Sequence, residues 1–263
     1  MAKPQGQIVC VGMGMILGAH MAPRCRSYIE QADIVYSSCH HLMQRWLEQL
    51  NINSHSLQPL YGKYKDRRET YAEMIEIMLA SVRAGKRVVG AFYGHPGVFA
   101  QVPHRVVKLA LEEGFDAHME PGISAEACLY AEMNIDPGEL GCQHFEASQF
   151  MFYQRIIDPY GYLVLWQIGL AGDLTLTSKI STTPQRQLLL DKLFEYYPPD
   201  HQVAIYESKT NVMEQSRIEW FALRDLVDMP LTMISTLVLP PARQMPVDRD
   251  MMASLHKITP RNY

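Results

Sequence analysis

No Gly-x-x-x-x-Gly-Lys-Ser/Thr loop occurs in this chain, which removes the main support for an ATPase or GTPase. There is no Cys-x-x-Cys pair and no helical His-x-x-x-His pattern. The cysteines, Cys10, Cys25, Cys39, Cys128 and Cys142, are scattered and odd in number. That spacing argues against a disulfide framework and leads us to expect a reduced, cytoplasmic protein. His40-His41 beside Cys39 lacks ligand spacing, so no metal site is expected. A long Lys/Arg tract is also missing. With 24 Lys+Arg against 28 Asp+Glu and a net charge of -4, general nucleic-acid binding is not expected. Basic residues gather only locally, at Lys63, Lys65, Arg67 and Arg68. No apolar run reaches the ~20 residues of a membrane span, and the first residues lead straight into a strand-like segment without a signal-peptide pattern. No repeat or low-complexity tract is present.

What is there is a core. The 263 residues are 48% hydrophobic, enough for one large domain or two smaller ones. Ile8–Val11 reads as a first strand, followed by Gly12-Met13-Gly14. Pro23 opens a helix to about Gln31, Ile34–Tyr36 is a short strand, and His41–Leu50 is helical. Between Thr70 and Ala84, Ile75, Met78, Leu79 and Val82 form a helical stripe that Gly85 ends. Arg87–Phe92 is a strand, Pro103 starts a helix that Gly114 stops, and Ala117–Glu120 returns to the sheet. This alternation predicts an α/β first domain.

The second half is less regular. Tyr162–Trp166 predicts a buried strand, Gln187–Tyr196 a helix, and Val203–Tyr206 another strand. Ile218–Leu226 reads as helix and Leu231–Leu239 as strand. Boundaries are expected near 120 and 241, giving two domains, 1–120 and 121–241, and a short packed arm over 242–263.

Several loops carry candidate chemistry. Phe92-Tyr93-Gly94-His95-Pro96-Gly97-Val98-Phe99 breaks a buried strand into a turn with a phenol and an imidazole. In an open α/β sheet that is where ligands sit, although a plain tight loop has the same composition. Gly12 and Gly14 allow close approach of a ligand but do not make a full dinucleotide fingerprint. Ser124, in Pro121-Gly122-Ile123-Ser124-Ala125-Glu126, can cap a helix whose N–H groups face a polar ligand, and Gln167 follows the strongest strand. Tyr61, Tyr64, Arg67, Tyr71 and Tyr93 combine phenols with a cation that can support a developing oxyanion. Ordinary aromatic packing accounts for the same residues.

Taken in order, VGMG (Val11–Gly14), RRETY (Arg67–Tyr71), FYGHPGVF (Phe92–Phe99), PGISAE (Pro121–Glu126), ASQF (Ala147–Phe150) and STLVLPP (Ser235–Pro241) resemble the tetrapyrrole methylase superfamily. Within it, the chain is similar to the borosin peptide backbone α-N-methyltransferases, in their bacterial split form. The resemblance spans Gln7 to about Pro241. It implies two α/β domains with S-adenosyl-L-methionine in the cleft between them, yielding S-adenosyl-L-homocysteine, and repeated methylation of peptide backbone nitrogens. By the same resemblance Arg67, Tyr71 and Tyr93 are catalytic. Gly12, Tyr93, Gly94, His95, Val98, Phe99, Ser124, Ala125, Gln167, Tyr206 and Leu239 then lie on the donor-binding surface. Tyr61 and Tyr64 approach the substrate, on a loop that is shorter here.

Fungal members carry their peptide substrate as a C-terminal extension. This sequence ends at Lys257–Tyr263 without an extended apolar tail, so a separate precursor protein is expected, in a 2:2 complex with an intertwined homodimer. Two other readings remain open at this point. One is a small-molecule, tetrapyrrole-type methyltransferase, and the other a catalytically silent peptide binder. Which tyrosine takes the amide proton is likewise open.

Overall fold

The computed structural model describes residues 6–62, 65–174 and 180–259. Its first half alternates strand and helix: β1 (Gln7–Gly12), α1 (Pro23–Gln31), β2 (Ile34–Ser38), α2 (His41–Leu50), β3 (Ser54–Ser56), α3 (Arg67–Arg83), β4 (Arg87–Phe92), α4 (Gln101–Glu112) and β5 (Asp116–Glu120). These strands make one parallel sheet in the order β3-β2-β4-β1-β5. Parallel strands covered on both faces need apolar residues at successive positions. Strand β1 shows why. Ile8 and Cys10 pack toward Met74, Met78 and Val106 of α3 and α4, while Val9 and Val11 pack toward Cys25, Ile29 and Leu47 of α1 and α2. Helix α3 begins where the Asp66 carboxylate accepts the Arg68 N–H at 2.7 Å, and ends before Gly85 at φ +82.

Two helices, α5 (Ala125–Met133) and α6 (Pro137–Leu140), lead to the second sheet. It contains β6 (Cys142–Glu146), α7 (Ala147–Phe152), β7 (Tyr162–Trp166), α8 (Thr183–Leu193), β8 (Gln202–Glu207), β9 (Arg217–Ala222) and β10 (Thr236–Leu239), and α9 (Arg249–Ile258) follows. The strand order is β6-β7-β10-β8-β9, with only β6 and β7 parallel. Helix α8 covers one face through Leu189, Leu190 and Leu193. Helix α5 covers the other through Cys128 and Leu129. Among the described residues, no helix is long and apolar enough to cross a membrane.

Five sequence expectations need correction. Helix α4 starts at Gln101, not Pro103, because a proline inside the first turn forfeits no intrahelical bond. Helix α8 starts at Thr183 rather than Gln187. There Thr182 and Gln185 form a capping box, and the Gln185 amide oxygen accepts the Thr182 N–H at 2.8 Å. Ile218–Leu226 is not a helix. Arg217–Ala222 pairs antiparallel with β8, and Leu223–Val227 is a short 3₁₀ turn. Because β9 is an edge strand, Ile218 and Trp220 stay exposed, which disguises its alternation. Of Leu231–Leu239 only Thr236–Leu239 is strand, since Thr232 and Ser235 bond each other's backbone and hold a turn. The segment expected as a packed arm forms α9, none of whose residues is buried.

Candidate active site

The carboxyl ends of β1, β4 and β5 converge so closely that side chains are excluded. A Cβ on Gly12 would lie 2.6 Å from the Gly122 Cα, and one on Gly122 would lie 2.3 Å from the Gly94 carbonyl oxygen. Gly14 and Gly94 exchange backbone hydrogen bonds at 2.9 and 3.1 Å. Gly94 has φ +66, the left-handed region in which glycine carries no steric cost. Backbone packed this tightly forms a floor, and beside it opens a cavity of about 270 Å³.

Both sheets contribute walls. Tyr93, Gly94, His95, Val98 and Phe99 line the cavity from the loop after β4. Ser124, Ala125 and Glu126 line it from the start of α5, where the Ser124 hydroxyl accepts the Ala127 N–H at 3.1 Å. Gln167 and Tyr206 come from the second sheet. Tyr206 is fixed from behind, donating to Glu132 Oε2 at 2.8 Å. The His95 Nδ1 accepts the Gly97 N–H at 2.8 Å, which holds the loop turn. Phe99 and Gln167 sit at φ 49 and φ 58. Non-glycine residues in this region are strained, and strain of this kind collects at functional sites.

Tyr61, Tyr71 and Tyr93 line the cavity near one another. The Tyr61 and Tyr71 rings meet edge to face with centroids 6.4 Å apart. Burial pushes the Tyr61 phenol up to about 12, reinforced by Tyr71. Tyr93 exposes 58% of its surface, yet it faces the cavity and burial raises its phenol too. Tyr71 acts in the same direction and the Arg67 guanidinium opposes both. Arg67 is therefore within electrostatic reach of Tyr93 without lining the cavity. Arg67 and Tyr71 stand one turn apart on α3.

Other expected residues fall elsewhere. Gly12 belongs to the floor behind the cavity. Leu239 is a correction. It is fully buried in the core beneath the second sheet, with Leu237, because alternate residues of β10 face opposite ways. Thr236, on the other face, is the β10 residue that reaches the cavity. Tyr64, like Lys63, lies outside the described residues. The local basic group is partly neutralised: Lys65 pairs with Glu73 at 2.5 Å and Arg68 with Asp66 at 2.6 Å. Among the described residues, no group of three or more His, Cys, Asp or Glu could hold a metal ion.

The sequence reasoning missed Met15, Ser38, Met74, Glu126, Trp166 and Thr236, all of which line the cavity. A signal existed for two of them. Ser38 ends a parallel strand at the ligand-binding edge, and Trp166 ends the strongest strand of the second half.

Comparison with known proteins agrees with this architecture. The family model for Tetrapyrrole (Corrin/Porphyrin) Methylases matches residues 7–219. The fold is shared with uroporphyrin-III-C-methyltransferase from Thermus thermophilus, at TM-score 0.62 and 16% identity over 98% of this chain and 99% of that one. It is shared as well with the cobalt precorrin-4 methyltransferase of cobalamin biosynthesis, at TM-score 0.65 and 14% identity over 92% and 98%. A methyltransferase/ribosomally synthesized type I borosin cyclic peptide precursor from Coprinopsis marcescibilis is 38% identical over 97% of this chain and 68% of its own length. The corresponding type I protein of Gymnopilus junonius is 35% identical, over 95% of this chain and 60% of its length. A type III precursor of Anomoporia bombycina is 34% identical over 95% of this chain but only 30% of its length. The match thus takes in nearly all of this chain and 68%, 60% and 30% of these relatives, and on these similarities the chain belongs to the borosin-type methyltransferases of the tetrapyrrole methylase family.

Proposed function

We propose that this methyltransferase uses S-adenosyl-L-methionine to methylate backbone amide nitrogens of a ribosomally made peptide, in repeated rounds. The observation that carries this reading is the grouping of Tyr61, Tyr71 and Tyr93 on the wall of a cavity beside closely packed glycine backbone, with Arg67 in electrostatic reach of Tyr93. The donor supplies an electrophilic methyl group on a sulfonium, with S-adenosyl-L-homocysteine as the product. The residues present suit it. Aromatic and apolar side chains dominate the walls, and Glu126 is the one formally charged side chain among the described lining residues. A carboxylate there favours a ligand with cationic groups. Tyr93, Gly94, His95, Val98, Phe99, Ser124, Ala125, Gln167 and Tyr206 would hold it.

An amide nitrogen is a poor nucleophile because its lone pair is delocalised into the carbonyl. Attack requires loss of the amide proton, which places negative charge on the carbonyl oxygen. Burial keeps the Tyr93 phenol protonated, so it serves as a hydrogen-bond donor to that oxygen. Arg67 stabilises the same charge. Tyr71, braced by the Tyr61 ring, orients the amide and relays its proton to solvent water. Closing peptide and donor in one dry cavity supplies proximity and direction.

The peptide is supplied by a separate precursor protein, to a homodimer, in a 2:2 complex in the cytoplasm. All five cysteines are free, as in a reducing compartment.

The test is intact-mass analysis after incubation with donor and the candidate precursor in trans, with fragmentation to locate the methyl groups. Successive single-methyl additions on backbone nitrogen support the reading. Peptide binding without mass gain, or methylation of a tetrapyrrole instead, overturns it. Separate Tyr71→Phe and Tyr93→Phe variants, followed in single turnovers, test the phenol roles. Parent rates in both would refute them.

A further inference from the structure

A chain of polar side chains runs behind the cavity wall and ends on it twice. The Trp166 indole N–H donates to His144 Nδ1 at 3.0 Å. The other imidazole nitrogen, Nε2, lies 2.6 Å from the Tyr130 hydroxyl. Tyr130 donates to Glu126 Oε1 at 3.1 Å. Trp166 and Glu126 both line the cavity, whereas His144 and Tyr130 do not. An indole nitrogen can only donate, and a carboxylate only accept. Those two ends fix the polarity of everything between. His144 must receive at Nδ1 and donate from Nε2, and Tyr130 must accept from His144 while donating to Glu126. Each member has one orientation, and the Trp166 ring, inclined only 19° to the imidazole, inherits its own from His144. Trp166 in turn packs against the strained Phe99, with centroids 5.6 Å apart.

We propose that His144 is a positioning residue for methyl transfer, locking the Trp166 indole and the Glu126 carboxylate into fixed places on the cavity wall. This rests on the proposed methyltransferase reading for its consequence in catalysis, but not for its geometry. A protonated imidazole would put an N–H at Nδ1, facing the indole N–H, and the lock would open. The groups facing His144 bear on that event. Glu126 and Tyr130 come from α5, and Cys142, which interacts with Tyr130, comes from its own strand. Burial holds the imidazole below its ordinary range, with Glu126 opposing, so the lock is closed at neutral pH and opens on acidification.

The test uses the full chain with Trp46 and Trp220 replaced by phenylalanine, leaving Trp166 as the single indole reporter of the three tryptophans. We expect its fluorescence to fall in one step as pH drops below the ordinary histidine value of 6.5. His144→Gln, which can still accept from the indole and donate to Tyr130, should abolish that step. It should also keep kcat at neutral pH. His144→Phe loses both hydrogen bonds. It should lower kcat by ~10- to 100-fold, the range for a reacting group displaced by about an ångström, with the affinity for S-adenosyl-L-homocysteine little changed. A parent fluorescence without the step, a step surviving in His144→Gln, or a His144→Phe enzyme with full kcat would overturn the proposal. Equal loss of kcat in both variants would do so too, since it would mark a merely structural residue. If the chain proves not to methylate peptides at all, the fluorescence step still decides whether the lock exists.

Discussion

The two sheets solve different problems. The first is parallel, wrapped by helices on both faces, and sends its loops to one edge, where Gly12, Gly94 and Gly122 meet backbone to backbone. The second is mostly antiparallel, ends in an exposed edge strand, and offers the cavity single side chains, Trp166, Gln167, Tyr206 and Thr236, from strand ends. Tyr61, Tyr71, Tyr93 and Arg67 all belong to the first half. On the proposed function, the difference is a division of labour: the first half supplies the reacting groups, and the second closes a wall against them.

The sharpest way to break that division is to remove a charge from the first half. Arg67→Ala should lower kcat by ~10²- to 10³-fold, the usual cost of losing an oxyanion-stabilising group. The affinity for S-adenosyl-L-homocysteine, measured by calorimetry, should stay near the parent value. A parallel fall in affinity would show that Arg67 holds the donor and that the division is wrong. Next in size, Gly122→Ala sets a methyl group against the Gly94 carbonyl, and Gly169→Ala sets one 1.9 Å from the Thr232 carbonyl oxygen in the second half. Both are overpacking of backbone and should cost ~1–3 kcal/mol in denaturant titrations, with larger values if the loops do not shift. Only Gly122→Ala should also weaken donor binding beyond its effect on stability, because its loop forms the cavity floor. Equal binding loss in Gly169→Ala would assign floor and wall the same role.

The same contrast explains what could be read in advance. In the first half the central strands β1, β2 and β4 are buried on both faces, so Arg87–Phe92 stands out from sequence with its observed limits, as does the amphipathic helix His41–Leu50. Tyr71 and Tyr93 were legible because they sit on a capped helix and at a strand-to-turn break. The second half hides its pattern. Ile218-Glu219-Trp220-Phe221-Ala222 carries apolar residues at both helical and alternating spacing, and its pairing with β8, a tertiary interaction, decides for strand. Leu239 and Thr236 belong to one short strand, yet only the register says which of them meets the cavity. Glu126 became visible as a site residue only when α5 was brought against β7.

The smallest expected effect probes the core that supports the second sheet. Tyr197 is almost fully buried among Leu193, Val203 and Leu226, and among the described residues its hydroxyl is the one buried side-chain polar atom without a hydrogen-bond partner. Burial accordingly drives its phenol above the ordinary range. A hydroxyl taken out of water without a partner destabilises the fold, so removing it should stabilise. Tyr197→Phe keeps the ring and its packing, and should raise the stability to denaturant by ~1 kcal/mol, with kcat unchanged. No comparable orphan lies in the described part of the first core, where the Tyr36 hydroxyl meets Ser81 Oγ at 2.8 Å. Tyr36→Phe should therefore destabilise by a similar amount, ~1 kcal/mol, since it strands the Ser81 hydroxyl. Opposite signs from the same chemical change in the two halves would show that the first core is polar-satisfied and the second is not. Matching signs would mean that an ordered water completes the Tyr197 hydroxyl and that the two cores are alike in this respect.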